Sequence, residues 1–267
     1  DGYIYVHDMS ARRDTMNCCL FDVQNVLTGG FEMGNIWYNE PKTLDVAFDV
    51  IGDIVLSAAS QQYGGFTVPS VDLILEPYAE KSYNRALAKY ERLGVVADVA
   101  EREALADVKK EFEQGFQGWE YKFNTVASSR GDYPFITVTA GTGTGKFAQM
   151  ATITMLEVRR KGQGKKDHKK PVLFPKIVFL YDENLHGPGK PLENVFEAGV
   201  ECSAKTMYPD WLSLTGKCYV ASMYKQYGKI VSPMGCRAFL SPWYERGGMH
   251  PADDKDQPVF VGRFNIG

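Results

Sequence analysis

Long segments in which apolar residues recur at helical spacing alternate with short β-rich runs in this chain. The first such segment, residues 42–62, places apolar side chains three or four positions apart and predicts an amphipathic helix that ends before the Tyr-Gly-Gly at 63–65. Residues 72–93 and 99–125 have the same spacing and predict two more long helices. Strands that are joined by helices tend to pair in parallel, so the pattern predicts an α/β fold with a largely parallel sheet.

The remaining segments extend this alternation. Residues 15–27 form a dense apolar run that predicts a buried strand leading into a short helix. Strands are predicted at residues 133–139 and 171–181, and helices at residues 147–160 and 192–207. No internal repeat and no linker interrupts these elements, which favours a single domain.

The composition excludes several classes of function. Of the 267 residues, 44% are hydrophobic and 24% are charged, with a net charge of −3, as in a soluble globular protein. Such a chain has no general attraction for nucleic-acid polymers, and it lacks an apolar run of about 18 residues that could span a membrane. We therefore expect a cytoplasmic protein. Because residues 1–8 and 259–267 both have strand patterns, we expect residues 1–267 to be one domain cut from a longer polypeptide.

Two motifs have features of phosphate-binding sites. Gly141-Thr-Gly-Thr-Gly-Lys146 follows a predicted strand, as a P-loop does, but Ala140 and Phe147 stand where that motif requires a glycine and a hydroxyl residue. A turn that is flexible, or that allows a close backbone approach, is the favoured interpretation. The run 159–170 concentrates positive charge, and a solvated, mobile loop is favoured over a polyanion site because no aromatic residues are interleaved with the charges.

The cysteines and histidines do not have the spacing of a metal site or of a disulfide framework. The five cysteines form no Cys-x-x-Cys pair and the four histidines form no His-x-x-x-His pair, so no protein-bound metal is expected. Cys202 and Cys218 are interpreted as inert thiols. Cys18 and Cys19 are adjacent in a predicted strand, so their side chains should point to opposite faces of the sheet.

Cys236 has a different setting, because Pro233 and Gly235 place it in a tight loop within an apolar segment. Its motif, Met-Gly-Cys-Arg-Ala-Phe-Leu at 234–240, resembles the finger loop of the anaerobic, class III ribonucleoside-triphosphate reductases. Ala238 is a departure, since a serine is expected there. Further motifs that resemble this family follow the family's order, at residues 17–20, 27–35, 62–65, 174–176, 207–210 and 262–267.

The resemblance implies a ten-stranded α/β barrel of two five-stranded halves, here incomplete, with a finger loop through its middle. It implies that Cys236 forms the thiyl radical that takes the 3′ hydrogen of the ribose, that Cys18 assists loss of the 2′-hydroxyl, and that Asn265 hydrogen-bonds the ribose or the reductant. His7, Met234 and Gly235 are expected to contact the substrate.

The resemblance also implies partners and cofactors. The substrate would be a ribonucleoside triphosphate and the reductant formate, since Cys18 would be the only partner thiol in the visible barrel. Deoxynucleoside triphosphate or ATP effectors would bind near a dimer contact, at Glu40, Lys42, Asp53 and Arg85. A radical-SAM activating enzyme would generate a glycyl radical. That glycine and a zinc site are expected outside these residues, so the chain alone is expected to be inactive.

Two alternatives remain at this point. The vicinal Cys18 and Cys19 pair is compatible with another glycyl-radical enzyme, of the pyruvate formate-lyase type, although such a pair would belong on the finger loop. A chain that ends near residue 267 would instead favour a non-catalytic, dimerising module that binds a deoxynucleoside triphosphate.

Overall fold

A computed structural model describes residues 16–62, 64–125 and 135–227, together with short segments at 233–234, 238–239, 244–245, 248–249 and 260–264. Its strands are β1 (Met16–Phe21), β2 (Phe31–Met33), β3 (Ile36–Tyr38), β4 (Gly65–Val68), β5 (Phe135–Ala140), β6 (Lys176–Tyr181), β7 (Asp210–Ser213), β8 (Pro233–Met234), β9 (Ala238–Phe239), β10 (Tyr244–Glu245), β11 (Gly248–Met249) and β12 (Phe260–Phe264). Its helices are α1 (Val23–Leu27), α2 (Leu44–Ala59), α3 (Val71–Arg92), α4 (Ala97–Thr125), α5 (Lys146–Lys161), α6 (Glu193–Lys205) and α7 (Tyr219–Tyr227).

The main sheet has six strands in the order β12-β1-β4-β5-β6-β7. The five strands from β1 to β7 in this order run parallel, and β12 pairs antiparallel with β1. The connections between the parallel strands contain the long helices, which confirms the predicted α/β class and its parallel pairing. Five parallel strands followed by one antiparallel strand are consistent with one half of the predicted barrel and the first strand of the other half.

Apolar periodicity sets the helices that cover this sheet. α2, α3 and α4 match the predicted segments to within about three residues at each end, and all three contribute to one core cluster. The side chains that alternate toward this core along β4 and β5 are Phe66, Val68, Ile136 and Val138, all at most 1% exposed. One face of the sheet is therefore packed against helices.

The opposite face of the sheet is more polar at its centre. Thr67, Thr137 and Thr139 alternate with the core residues of β4 and β5 and are also buried. At the β6 and β7 end this face is apolar again, where Val178 and Leu180 pack with α7. We call this second face the inner face.

Candidate active site

The vicinal cysteines of β1 lie on the two faces of the sheet. Cys19 is fully buried and belongs to the core cluster under the helices, whereas Cys18, 1% exposed, is not part of that cluster and lies on the inner face. The two side chains therefore point to opposite faces of the sheet, as their adjacent positions in a strand predict.

The segment that leads into β4 donates a hydrogen bond to each of these thiols. The Gln62 Nε2 amide donates to Cys19 Sγ at 2.9 Å, and the Gly65 backbone N–H donates to Cys18 Sγ at 3.3 Å. Burial raises the pKa of Cys19 to about 12, although the Gln62 hydrogen bond opposes this shift. Cys19 therefore remains a protonated thiol at neutral pH.

Polar groups continue across the inner face from β4 to β7. Thr67 is paired in register with Thr137, and Thr137 with Lys176. The Lys176 ammonium in turn contacts the Asp210 carboxylate at 2.7 Å. The inner face thus carries hydroxyl groups on β4 and β5, next to the strand with Cys18, and an ion pair further away on β6 and β7. Such polar groups suit a polar substrate rather than an apolar one.

The two strands on either side of Cys236 form a hairpin close to β1 and β4. β8 pairs antiparallel with β9 and is not hydrogen-bonded into the main sheet, yet its Cα atoms come within 8 Å of β1 and β4. The hairpin therefore lies close to the strand that carries Cys18 and to its neighbour β4. Cys236 and Gly235 themselves are outside the described residues, and of Met234 only the backbone is described.

β12 brings a second motif to β1. Its Arg263 is paired with Cys18 and its Phe264 with Met16. Asn265 and His7 lie outside the described residues. Around β1 the fold therefore gathers the Cys18 thiol, the strands flanking Cys236 and the strand preceding Asn265.

Comparison with known proteins agrees with this arrangement. The model of the family described as "Anaerobic ribonucleoside-triphosphate reductase" matches residues 1–267. This chain belongs to that family. The anaerobic ribonucleoside-triphosphate reductases of Enterobacteria phage T4 and Haemophilus influenzae are 37% and 36% identical to it over its whole length. The chain spans 42% and 35% of these two relatives, which is less than half of each.

A solved reductase of this family shares the fold. The Thermotoga maritima anaerobic ribonucleotide reductase in complex with dATP and CTP aligns with a TM-score of 0.55 at 14% identity, over 81% of this chain and 36% of that one. The α/β barrel predicted for the chain is thus the fold of a reductase of this family. The pyruvate formate-lyase alternative is not the family that the chain matches.

The glycine loop after β5 binds a carboxylate of the chain itself. The backbone N–H groups of Gly141 and Gly143 donate to Asp72 Oδ2 at 3.0 and 3.1 Å, and the Ala148 N–H donates to Glu76 at 3.4 Å. Two acidic side chains of α3 thus use the N–H groups that a P-loop would offer to phosphate. The backbone of this loop therefore closely approaches α3, which is one of the two kinds of turn that the sequence favours.

The candidate effector residues are distributed over two places. Arg85 lies in a groove of about 760 Å³ between α3 and α4, whose other cationic residues are Lys89, Arg92 and Lys110.

Glu40 binds Lys81 of α3 at 2.7 Å and the Gly29 N–H at 3.1 Å, and these contacts lower the pKa of its carboxyl group. Lys42 and Asp53 are exposed side chains outside this groove. Of the four candidate residues the structure therefore brings only Arg85 into the groove, and the effector roles of all four stay predictions.

The basic run after α5 forms a hydrogen-bonded turn. Gln163 and Lys170 exchange backbone hydrogen bonds of 2.9 and 2.8 Å, and the side chains between them are mostly exposed.

No group of three or more metal-binding side chains occurs within the residues that the structure describes. In the same part of the chain, no helix is both long and apolar enough to cross a membrane.

The sequence alone assigns no role to Gln62 or Asp72, although both make the buried contacts described above. Gln62 is part of a quoted family motif, but its contact with Cys19 joins positions 43 residues apart. Asp72 has the pattern of an ordinary acidic residue in a first helical turn, and the glycines that it binds lie about 70 residues further along the chain. Only the tertiary fold shows these pairings.

Proposed function

We propose that this chain is the catalytic core of an enzyme that reduces ribonucleoside triphosphates to deoxyribonucleoside triphosphates by thiyl-radical chemistry. The observation that carries the proposal is the β8–β9 hairpin, whose first strand lies close to β1, the strand with Cys18. This arrangement leaves a short distance along the chain between the described strands and Cys236. In the proposed mechanism the substrate would be held between the sulfur atoms of Cys236 and Cys18.

Cys236 would carry the radical step. The Cys236 thiol would give up its hydrogen atom to a glycyl radical, which would supply the unpaired electron when present. The resulting thiyl sulfur takes the 3′ hydrogen atom of the ribose, so an S–H bond forms as the C–H bond breaks and the unpaired electron moves to C3′. The same S–H group returns the hydrogen atom at the end. Sulfur suits this exchange because S–H and ribose C–H bonds are similar in strength.

Cys18 would assist loss of the 2′-hydroxyl. The Gly65 N–H donates to the Cys18 sulfur, so the S–H proton is directed away from the β4 backbone. A proton from this thiol, added to the departing hydroxyl, gives water as the leaving group. Asn265 would hydrogen-bond the ribose or the reductant, and His7, Met234 and Gly235 would contact the substrate.

Formate is the reductant that this arrangement favours. A dithiol mechanism would need a second thiol beside Cys18, but the neighbouring Cys19 lies under the helices, bonded to Gln62. Oxidation of formate to carbon dioxide supplies two electrons without a second cysteine. Zinc is expected only in parts of the protein outside this chain.

The groove between α3 and α4 would bind the specificity effector. The T. maritima relative was solved with dATP and CTP. In this groove Arg85 and its three cationic neighbours outnumber the two acidic residues, Asp107 and Glu111, so an excess of positive charge faces a triphosphate. Deoxynucleoside triphosphates or ATP would bind here, close to a contact between two copies in a homodimer. A radical-SAM activating enzyme would act on the assembled protein.

Cysteine replacements in the full-length protein test the function. We expect Cys236→Ser and Cys18→Ser each to abolish deoxynucleotide formation, with nucleotide binding and the far-UV circular dichroism spectrum unchanged. Cys218→Ser is the matched control, since this thiol is exposed and lies at the start of α7, and it should keep full turnover. Turnover by Cys236→Ser would contradict the proposal.

A further inference from the structure

The vicinal cysteines create a problem of register in β1. Side chains alternate between the two faces of a strand, so a slip by one residue would move Cys18 to the helical face and Cys19 to the inner face. Both residues carry the same thiol, so the side chains at these two positions give no preference for either arrangement. The hydrophobic pattern that normally fixes a strand register is therefore weak at this point.

Near these residues the backbone of β1 pairs continuously with β12 from Cys18 to Phe21, but its pairing with β4 is short. β1 is paired with β4 through two positions, Cys19 with Phe66 and Leu20 with Thr67. On its other side, the register with β12 shifts between Met16 and Cys18. A register irregularity of this kind lies directly before the residue whose orientation matters.

Gln62 supplies a contact that distinguishes the two arrangements. Its side chain is 6% exposed, and its amide donates to Cys19 Sγ at 2.9 Å on the helical side of the strand. Three residues further along, the Gly65 N–H donates to Cys18 Sγ. We propose that Gln62 is a positioning residue that holds Cys19 on the helical side and thereby keeps Cys18 on the inner face. The catalytic consequence rests on the proposed function, whereas the orientation itself does not.

A thiol-labelling experiment tests the orientation without any need for activity. The full-length protein is treated briefly with methyl methanethiosulfonate, and tandem mass spectrometry assigns the modified residue within the β1 peptide. We expect Cys18 to be labelled before Cys19 in the wild type, and Gln62→Leu to reduce this preference about two- to tenfold, the bias that one buried hydrogen bond provides. Gln61→Leu, at the exposed neighbouring position, should leave the preference unchanged.

A double substitution tests whether Gln62 acts through Cys19. In Cys19→Val the two positions differ in polarity, so burial of the valine fixes the register without a hydrogen bond. Gln62→Leu alone should lower kcat about two- to tenfold with KM unchanged, whereas Gln62→Leu combined with Cys19→Val should restore kcat.

The outcomes separate this inference from the proposed function. An unchanged labelling preference in Gln62→Leu, or an equal loss of kcat in the single and double variants, would overturn the role of Gln62. An inactive wild-type protein whose labelling preference still depends on Gln62 would overturn the proposed function alone.

Discussion

The Asp72 carboxylate is fully buried between α3 and the glycine loop after β5. It accepts hydrogen bonds from two backbone N–H groups, those of Gly141 and Gly143, while its Oδ1 has no partner among the described residues. Burial raises the pKa of Asp72 above its usual value of 3.8, and the two backbone N–H groups act in the opposite direction. The charged carboxylate therefore costs free energy in the folded state.

The raised pKa of Asp72 should make the folded protein less stable as the pH rises. Above pH 3.8 the unfolded chain loses the Asp72 proton while the folded protein keeps it up to its raised pKa, so stability falls as the pH rises through that window. Asp72→Asn keeps an acceptor for the two glycine N–H groups and should remove this part of the fall. Urea midpoints measured from pH 4 upward test this, with the exposed Asp53→Asn as control. An Asp72→Asn protein with the wild-type pH profile would show that the carboxylate is not the cause.

A buried ion pair joins α4 to α5. The Arg159 guanidinium donates to Glu120 at 2.7 Å and to the Pro175 carbonyl oxygen at 2.7 Å, and both charged side chains are less than 5% exposed. These contacts hold the segment that precedes β6.

Removal of one partner of this pair should be costly. We expect Arg159→Met to destabilise the protein by about 3–5 kcal/mol, because it leaves the Glu120 charge buried without compensation. The adjacent Arg160→Met removes the pair with Glu201, which is at least one-third exposed on both sides, and should cost at most about 1 kcal/mol. Denaturant unfolding of the two variants gives the comparison, and equal losses would contradict this account.

The residue scale is where the sequence predicts least. The departure of residues 140–147 from P-loop spacing favours a turn, and the structure has a turn with a close backbone approach there. No neighbouring residue in the sequence, however, identifies Asp72 as the group that this turn binds. The same holds for Gln62 and Cys19. Such pairs depend on which strands become neighbours, and that is not encoded within a short window of sequence.

At the scale of elements, apolar spacing was a sufficient guide to the long helices. α3 was predicted at 72–93 and occupies Val71–Arg92, because a 22-residue amphipathic pattern can be recognised from its own residues. β4 is four residues long and the β2–β3 hairpin has three-residue strands, which is too short for a period to be recognised. Those strands were missed for that reason.

The packing of α2 against α4 gives an element-scale prediction. A Cβ at Gly115 would lie 2.3 Å from the Phe48 ring of α2, whereas a Cβ at Gly118 would meet no heavy atom within 4 Å. We expect Gly115→Ala to destabilise the protein by about 1–3 kcal/mol through overpacking. Gly118→Ala, on the same helix, should stabilise it by up to about 1 kcal/mol through helix propensity. Thermal unfolding of both variants checks this, and two stabilised variants would mean that the helices separate without cost.

At the scale of the whole molecule, the sequence predicted the parallel sheet, and the resemblance of its motifs predicted the barrel. The position of the β8–β9 hairpin close to β1 and β4 could not be predicted from a local pattern, because it depends on contacts between residues about 170 to 215 positions apart. α3 connects the two proposed sites directly. It begins at Val71, shortly after the β4 strand whose Gly65 bonds Cys18, and ends at Arg92 in the cationic groove.

Arg85 lies on this connecting helix, so its replacement should separate effector binding from chemistry. In the full-length protein we expect Arg85→Ala to weaken dATP binding about tenfold or more, since a hydrogen bond between charged groups contributes about 1.5–3 kcal/mol. Turnover without effector should be unchanged, because Arg85 lies on the α3–α4 side, away from the inner face. Arg102→Ala is the matched control, an exposed cation of α4 outside the groove. Isothermal titration with dATP and effector-free assays measure the two quantities. Unchanged dATP affinity in Arg85→Ala, or an equal loss in Arg102→Ala, would place the effector site elsewhere.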